Sequence, residues 1–207
     1  MRTLCFVFLS VFATFSFANQ DPMHKLNTLM ADPAAQEQAY IAGHERITFC
    51  KHCHGENGNS KRNYIPNLAG QNPIYLFNAF EKFANGERKD FVMSKLAKNL
   101  SLEDRVNIAL YYGQQKVVTT PAEEQDLQAQ GQHIFEKTCQ GCHGAKGEGK
   151  QDMPRLAGQP AEYVTRTLKN FRSNDPSRAA SVMLAITKNM TDSDIHSVAS
   201  YIQELEL

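Results

Sequence analysis

The sequence has no excess of charge of either sign, no long apolar run beyond its first residues and no strand pattern. Its 22 basic residues are matched by 22 acidic ones, which argues against nucleic acid as a partner, because proteins that bind nucleic acid present a basic surface. After residue 18 no apolar run approaches the roughly 20 residues that a membrane-spanning helix needs. No stretch shows the alternation of a half-buried strand. These absences favour a soluble, all-α protein.

The first 18 residues predict a secretory signal peptide. They carry one charge, Arg2, followed by an apolar run that ends at Phe17. Small residues, Ser16 and Ala18, occupy the two positions that determine cleavage. The run is shorter than the roughly 20 residues of a transmembrane anchor. We expect cleavage after Ala18, which removes Cys5 and leaves four cysteines.

Those four cysteines form two copies of one motif, Cys-x-x-Cys-His. On a helical turn the two sulfurs lie on one side, where they can add to the vinyl groups of a haem, while the histidine reaches the iron. Zinc and a redox disulfide are the rival interpretations. Zinc is disfavoured because the pairs lie far apart in the chain, and a disulfide gives no reason for the histidine. The motif residues are Cys50, Cys53 and His54, and Cys139, Cys142 and His143.

The repeat extends well beyond the motif, with a period close to 89 residues. Residues 65–71, Ile-Pro-Asn-Leu-Ala-Gly-Gln, match residues 153–159, Met-Pro-Arg-Leu-Ala-Gly-Gln. A Val-Met pair in residues 92–101 recurs in residues 182–191. Each half of the chain is therefore one complete module. Between these segments, Tyr75 and Phe83 match Tyr163 and Phe171.

Helix signals recur in both halves. Asp32-Pro33 and Thr120-Pro121 each predict an N-cap followed by proline at the first helical position, and Glu123 completes the spacing of a capping box with Thr120. A helix is expected to lead into each cysteine motif. Further helices are predicted over residues 73–84 and 161–172, and final helices after the caps Ser101 and Thr191.

We predict the following organisation of the chain. A signal peptide over residues 1–18 precedes an N-terminal domain over residues 19–116, whose core begins at about residue 32. A linker over residues 117–121 joins it to a C-terminal domain over residues 122–207. The sequence predicts no particular structure for residues 19–31.

A methionine follows each motif at a matched distance. Met93 lies 39 residues after His54, and Met183 lies 40 residues after His143. A thioether at the sixth position of a haem iron stabilises the reduced state and raises its potential. We therefore predict these two methionines as axial ligands and Met23, Met30, Met153 and Met190 as core residues. Surface or packing roles are predicted for the unmatched histidines, His24, His44, His52, His133 and His196.

A proline lies shortly after each motif histidine. Pro66 follows His54 by 12 residues, and Pro154 follows His143 by 11. Axial histidines usually donate their second ring N–H to a carbonyl oxygen. The two proline carbonyls are the predicted acceptors.

Taken together, these features resemble the diheme class I cytochromes c of the cytochrome c4 type, over about residues 32–207. The resemblance implies two tandem all-α cytochrome domains with two covalently bound haem c groups per chain. It implies a periplasmic electron carrier between a quinol-oxidising complex and a terminal oxidase or reductase. Cys50, Cys53, His54 and Met93 would serve one haem, and Cys139, Cys142, His143 and Met183 the other, with Pro66 and Pro154 as partners of the histidines.

Three functions are compatible with these features of the sequence. The first is the free electron carrier, which meets redox proteins, peripherally at a membrane or in solution, and has no small-molecule substrate. The second is the diheme electron-accepting subunit of a dehydrogenase complex. The third, a peroxidase-like enzyme with one open iron, is disfavoured because both methionines are present. The leading prediction is a non-enzymatic electron-transfer protein.

Overall fold

The structure is a computed structural model that describes residues 22–122, 124–178 and 181–207. The signal peptide predicted over residues 1–18 lies outside the described residues. Within the described ranges the regular structure is helical, apart from an isolated bridge between Lys150 and Met153. No helix in those ranges is long and apolar enough to cross a membrane. The prediction of an all-α fold is confirmed.

Helices and loops build the first module, which we define as residues 22–116. The carboxylate of Asp32 accepts hydrogen bonds from the backbone N–H groups of Ala34 and Ala35 at 2.9 and 3.3 Å, and Pro33 is the first residue of its helix, as predicted. Ser101 begins the final helix with a capping box. The helices are α1 (Pro22–Ala31), α2 (Pro33–Arg46), α3 (Lys51–His54), α4 (Pro73–Asn85), α5 (Met93–Asn99) and α6 (Leu102–Gly113).

The second module, residues 122–207, repeats this order without a counterpart of α1 among its described residues. Thr191 caps its final helix in a capping box with Asp194, as predicted. A π-helical turn over Phe135–Cys139 leads directly into the second motif. Two short 3₁₀ turns cover Gln125–Leu127 and Pro176–Arg178. The helices are α7 (Gln128–Ile134), α8 (Gln140–His143), α9 (Ala161–Arg172), α10 (Met183–Thr187) and α11 (Asp192–Glu204).

The predicted helix start at Thr120-Pro121 is wrong. Residues 120–122 are not helical, and the first helical turn begins at Gln125. The backbone here bonds to α11 instead: the Pro121 carbonyl accepts from Gln203 Nε2 at 2.8 Å, and the Ala122 N–H donates to Glu204 at 2.6 Å. These tertiary hydrogen bonds override the local capping signal.

Each module packs the helix that precedes its cysteine motif against its final helix. In the first module α2 lies against α6, and in the second α7 lies against α11. Leu26 of α1 is fully buried in the first core, so the first core extends upstream of residue 32. The buried residues include Ile47, Phe77, Phe80, Val106, Ile108 and Leu110 in the first core, and Phe135, Val164, Val198 and Ile202 in the second.

A buried glycine stands at the closest approach of these helices in both modules. A Cβ at Gly43 would lie 2.3 Å from the Asn107 carbonyl oxygen, and one at Gly131 would lie 2.2 Å from the Ser197 carbonyl oxygen. Both distances are far inside van der Waals contact, and the opposing atoms belong to helix backbone. The two helices of each pair can therefore approach this closely only because a side chain is missing.

We expect Gly43→Ala to lower the free energy of unfolding by about 1–3 kcal/mol, because the added methyl group pushes α2 away from α6. The better helix propensity of alanine, about 1 kcal/mol, offsets only part of this loss. Denaturant unfolding of the haem-loaded protein measures the change. Gln38→Ala, at an exposed position of the same helix, is the control. Equal midpoints for the two variants would contradict the close-packing role.

The segment that joins the modules is held against both of them. Asn59 of the first module receives the Val118 N–H at 2.9 Å and donates to the Lys116 carbonyl at 2.9 Å. A Cβ on Gly70 or on Gly158, which are repeat equivalents, would come within 2.8 Å of a Val117 methyl group. Val117 therefore lies between the two equivalent loops.

Candidate functional site

The first cysteine motif forms a single helical turn. The N–H groups of Cys53 and His54 both donate to the Cys50 carbonyl, at 3.1 and 2.9 Å. No disulfide joins the four cysteines of the two motifs. Burial raises the pKa of the Cys50 thiol, and it raises the pKa of Cys139 to about 11. A redox-active Cys-x-x-Cys pair has the opposite property, a thiol whose pKa is lowered, so these environments do not favour the disulfide interpretation.

Both motif histidines are buried, and each bonds to a proline carbonyl. Nδ1 of His54 lies 3.0 Å from the Pro66 oxygen, and Nδ1 of His143 lies 2.9 Å from the Pro154 oxygen. A carbonyl only accepts hydrogen bonds, so Nδ1 must carry the proton and Nε2 keeps a free lone pair. Burial lowers the pKa of both histidines, more than these hydrogen bonds raise it, which favours the neutral ring. A neutral imidazole with an available Nε2 is the form that ligates iron.

Met93 and a motif cysteine line the same apolar cavity. This cavity of about 200 Å³ is bounded by Cys50 and Met93 together with Phe80, Leu96 and Leu100, among others. An Asx turn positions the methionine, because the Asp90 carboxylate accepts from the Met93 N–H at 2.9 Å. Cys50 and Met93 both pack against the first core. The cysteine motif and Met93 therefore share a mostly apolar lining, which is the kind of surface that a haem contacts.

Met183 occupies the matching position in the second module. It is the first residue of α10, as Met93 is the first residue of α5, and it is half-buried. Its backbone N–H donates to Ser181 Oγ at 3.2 Å, and its carbonyl accepts from Thr187 Oγ1 at 2.8 Å. Helix α10 packs on α9, as α5 packs on α4. The local fold around the two methionines is thus the same.

The histidines without a repeat partner lie at the surface. His52, inside the first motif, is exposed although its neighbour His54 is buried. His44 is within 3.3 Å of Glu56. The structure places His24, His133 and His196 at exposed positions as well. Among the described residues no group of three or more His, Cys, Asp and Glu side chains could hold a metal ion.

A reciprocal pair of glutamines, which the sequence did not predict, lies at the contact between the modules. Gln71 donates to the carbonyl of Arg155 at 3.0 Å and accepts from its N–H at 2.6 Å. Gln159 makes the equivalent pair with Asn67, at 2.7 and 3.0 Å. Each glutamine thus forms two hydrogen bonds with the backbone of one residue in the other module. That residue comes directly after the proline whose carbonyl bonds to the motif histidine. We call this arrangement the glutamine clasp; its signal was the glutamine at the end of both repeated loops.

Arg155 is fully buried within the glutamine clasp. Its guanidinium donates to the Asn67 carbonyl at 3.1 Å and to the Ala157 carbonyl, while Nε has no partner. Burial lowers the pKa of Arg155 to about 10, so the group stays charged at neutral pH. Its repeat equivalent is the uncharged Asn67, and a buried cation therefore distinguishes the second module from the first.

Comparison with known proteins places these features in one family. The Cytochrome c family model matches residues 128–206. Cytochrome c4 of Pseudomonas aeruginosa is 34% identical over 79% of this chain and 87% of its own length. The thiosulfate dehydrogenase electron acceptor of Thiomonas intermedia is 32% identical over 81% of this chain and 83% of its own.

The fold agrees with this sequence similarity. The crystal structure of reduced recombinant cytochrome c4 from Pseudomonas stutzeri superposes with a TM-score of 0.74 at 30% identity, covering 80% of this chain and 98% of that one. The prediction of two tandem class I cytochrome c domains is confirmed. Cytochromes c carry haem c bound covalently, and both cysteine pairs have the required motif. Repeat, fold and similarity together show that the chain belongs to the cytochrome c4 family.

Proposed function

We propose that the protein is a periplasmic diheme electron carrier that passes single electrons from a quinol-oxidising complex to a terminal oxidase or reductase. The observation that carries the proposal is the duplicated histidine geometry, a buried ring with Nδ1 bonded to a proline carbonyl and Nε2 available in both modules. The modules are residues 19–116 and 122–207, joined by the linker 117–121. Residues 1–18 direct export and are removed after Ala18.

Each module binds one haem c through its own residues. The thiols of Cys50 and Cys53 hold one haem, and those of Cys139 and Cys142 hold the other. His54 and Met93 would ligate the iron of the first haem, and His143 and Met183 would ligate that of the second. When bound, haem iron supplies one-electron redox chemistry at each site.

The chain's residues define what each site can do. The hydrogen bond to Pro66 or Pro154 fixes the ring of the axial histidine and makes its Nε2 a stronger donor to iron. With the methionine thioether also bound to the iron, no ligand position would remain at either site for a small-molecule substrate. The mostly apolar lining around Cys50 and Met93 would surround a bound haem with a low dielectric, which would raise its reduction potential further. These properties suit electron transfer and do not provide for bond-making catalysis.

Exposed apolar side chains adjoin the methionine in both modules. Phe91 and Val92 are 81% and 52% exposed, and Val182 and Ile186 are 73% and 46% exposed. Such patches, with polar residues around them, are typical of surfaces that meet a protein partner briefly. We propose that redox proteins, including membrane respiratory complexes, dock there. The balanced net charge argues against nucleic acid as a partner.

A second candidate function is an electron-accepting subunit of a dehydrogenase complex. The relative in Thiomonas intermedia, named as the electron acceptor of thiosulfate dehydrogenase, favours it. In that role the protein takes electrons from a catalytic subunit and stays associated with it. The two functions differ in the electron donor and in how long the protein stays bound to that donor, although the haem sites are the same.

An experiment with membranes of the source organism separates the two. In the first arm, membranes from a strain lacking this gene receive a quinol and the purified ferric protein, and reduction of the haem is followed by absorbance. In the second arm, the same membranes receive the ferrous protein, and its oxidation in air is followed. A carrier is reduced in the first arm and oxidised in the second, and an inhibitor of the quinol-oxidising complex stops the first. Reduction only after thiosulfate is added, with a co-purifying polypeptide, would support the subunit role and overturn the carrier.

A further inference from the structure

The side of the first module that carries Cys50 and Met93 also exposes two phenylalanines. Phe49 lines the apolar cavity that Cys50 and Met93 share and is nevertheless 71% exposed, so it lies at the rim of that cavity. Phe91, two residues before Met93, is the more exposed of the two. Most of the side chains that line the cavity come from residues 47–54 and 91–100. We call these two segments the first face.

Three exposed lysines belong to the first face. Lys51 directly follows Cys50, and Lys95 and Lys98 lie on α5, next to residues that line the cavity. The ammonium group of Lys95 lies 4.1 Å from the centroid of the Phe91 ring. None of these lysines takes part in an ion pair within the part of the chain that the structure describes. Their charges are therefore available to a partner.

The first face contains no acidic residue, which gives it a formal charge of +3 with histidine neutral. Two carboxylates lie close to it in the chain. That of Asp90 accepts hydrogen bonds from the N–H groups of Val92 and Met93, both at 2.9 Å. Glu45 is exposed, and its neighbour Arg46 is paired with Asp104 at 2.9 Å. The excess of positive charge on the first face is thus not cancelled by its surroundings.

The second module lacks this combination of aromatic and basic side chains. Its equivalent segments, residues 135–143 and 181–190, contain two lysines and one glutamate, a formal charge of +1. The residue before the first cysteine is Thr138 there, in place of Phe49. A phenylalanine and two lysines of the first face also have small or uncharged counterparts. The repeat equivalents of Lys51, Phe91 and Lys95 are Gln140, Ser181 and Ala185.

The charges of the whole modules differ in the same sense. Residues 22–116 contain 12 basic and 9 acidic residues, whereas residues 122–207 contain 9 basic and 12 acidic ones. A protein with a negative surface is attracted to the first module and repelled by the second, which orients the molecule before contact. The apolar side chains at the rim then meet the partner directly, as aromatic residues do at the centre of protein interfaces.

We propose that the first face is the docking site of a redox protein whose own surface is acidic, and that the equivalent face of the second module does not bind this partner. The inference rests on the proposed function as an electron carrier and adds which module meets which kind of partner. An anionic lipid surface would attract the same lysines. Lipid neither donates nor accepts the electron, however, so a basic face beside the cysteine motif and Met93 favours a protein.

The test repeats both arms of the membrane experiment with the haem-loaded protein at ionic strengths of about 0.01 M and about 0.15 M, between which the screening length falls from about 30 Å to about 8 Å. In at least one arm we expect the rate of the parent protein to fall as ionic strength rises. Lys51→Gln combined with Lys95→Ala gives the first face the residues of the second module. This variant should lower that rate about tenfold at the low ionic strength and much less at the higher one.

The matched control removes the same charge from the second module. Lys137 and Lys188 are exposed residues of its equivalent segments, and Lys137→Gln combined with Lys188→Ala should leave the rate in that arm unchanged. Phe91→Ser, which again supplies the residue of the second module, should lower the rate at both ionic strengths, because salt does not screen an apolar contact. Two haems per chain and an unchanged sulfur-to-iron band show that the haem sites of each variant are intact.

The outcomes separate the inference from the proposed function. Electron transfer that does not slow with ionic strength in either arm, or equal effects of the two lysine pairs, would overturn the docking site and leave the carrier role intact. No electron transfer in either arm would remove the proposed function, and the inference with it. Protein-free vesicles of phosphatidylglycerol provide the last comparison. If they bind the parent protein at about 0.15 M ionic strength and fail to bind the variant of Lys51 and Lys95, the first face is a lipid-binding surface and the acidic protein partner is wrong.

Discussion

Replacing Cys50 and Cys53 with alanine is expected to leave one covalently bound haem per chain instead of two. The first module then lacks the apolar group that fills the space between Cys50 and Met93. A module of this size is close to the limit at which a protein-only core is stable. We therefore expect the first module to lose its helical structure while the second remains folded around its own haem. The corresponding pair of substitutions at Cys139 and Cys142 reverses the roles of the modules.

The haem-to-protein ratio after denaturation measures this loss, since covalent haem stays with the chain. Circular dichroism reports the fall in helix content. Two histidines of the first motif provide a matched comparison. His54→Ala removes a buried side chain, and its control, His52→Ala, alters an exposed one. His52→Ala should retain two haems with unchanged spectra. A protein that keeps two covalent haems without Cys50 and Cys53 would exclude the proposed attachment.

Replacing Met93 and Met183 together is expected to abolish the sulfur-to-iron absorption band at the red edge of the oxidised spectrum. Each single alanine variant should lose about half of the band, because the two sites are repeats of each other. The potentials should fall, since axial ligands tune haem potentials over a range of about 0.8 V and a thioether favours ferrous iron. The reduced variants should also bind carbon monoxide, which the parent protein excludes with six ligands in place.

Met190→Ala is the matched control for these variants. Met190 is also half-buried and packs against the second core, but its repeat partner is Leu100, so we expect it to keep the full band and both potentials. If the band survives in the double variant of Met93 and Met183, the proposed axial ligands are incorrect. Ready binding of carbon monoxide by the parent protein would point the same way.

Sequence and structure agree on most features that depend on neighbouring residues in the chain. The capping residues Asp32, Ser101 and Thr191 lie at the helix starts that their local signals predict. The helices over residues 73–84 and 161–172 were predicted to within a residue of their ends. The hydrogen bonds of His54 and His143 to the proline carbonyls occur as the motif spacing suggested.

Features that depend on contacts between distant segments were not predicted. Thr120-Pro121 has the sequence of a helix start, but Gln203 and Glu204 of α11 bond to its backbone instead. The repeat identified Gln71 and Gln159 as equivalent residues without showing that each one bonds to the other module. Likewise, nothing local in the sequence marks Arg155 as buried, because its environment is formed by residues of both modules.

The glutamine clasp is built as a two-fold exchange. Gln71 binds the backbone of Arg155, and Gln159 binds the backbone of the equivalent residue, Asn67. Such a self-complementary contact is the kind that two identical subunits form about a symmetry axis. A lone module carrying this loop could therefore pair with a second copy of itself, and the fraction that is paired would depend on its concentration. The short segment that joins the modules replaces that dilution-sensitive dimer with an intramolecular pair, so the two cysteine motifs stay together however dilute the protein becomes.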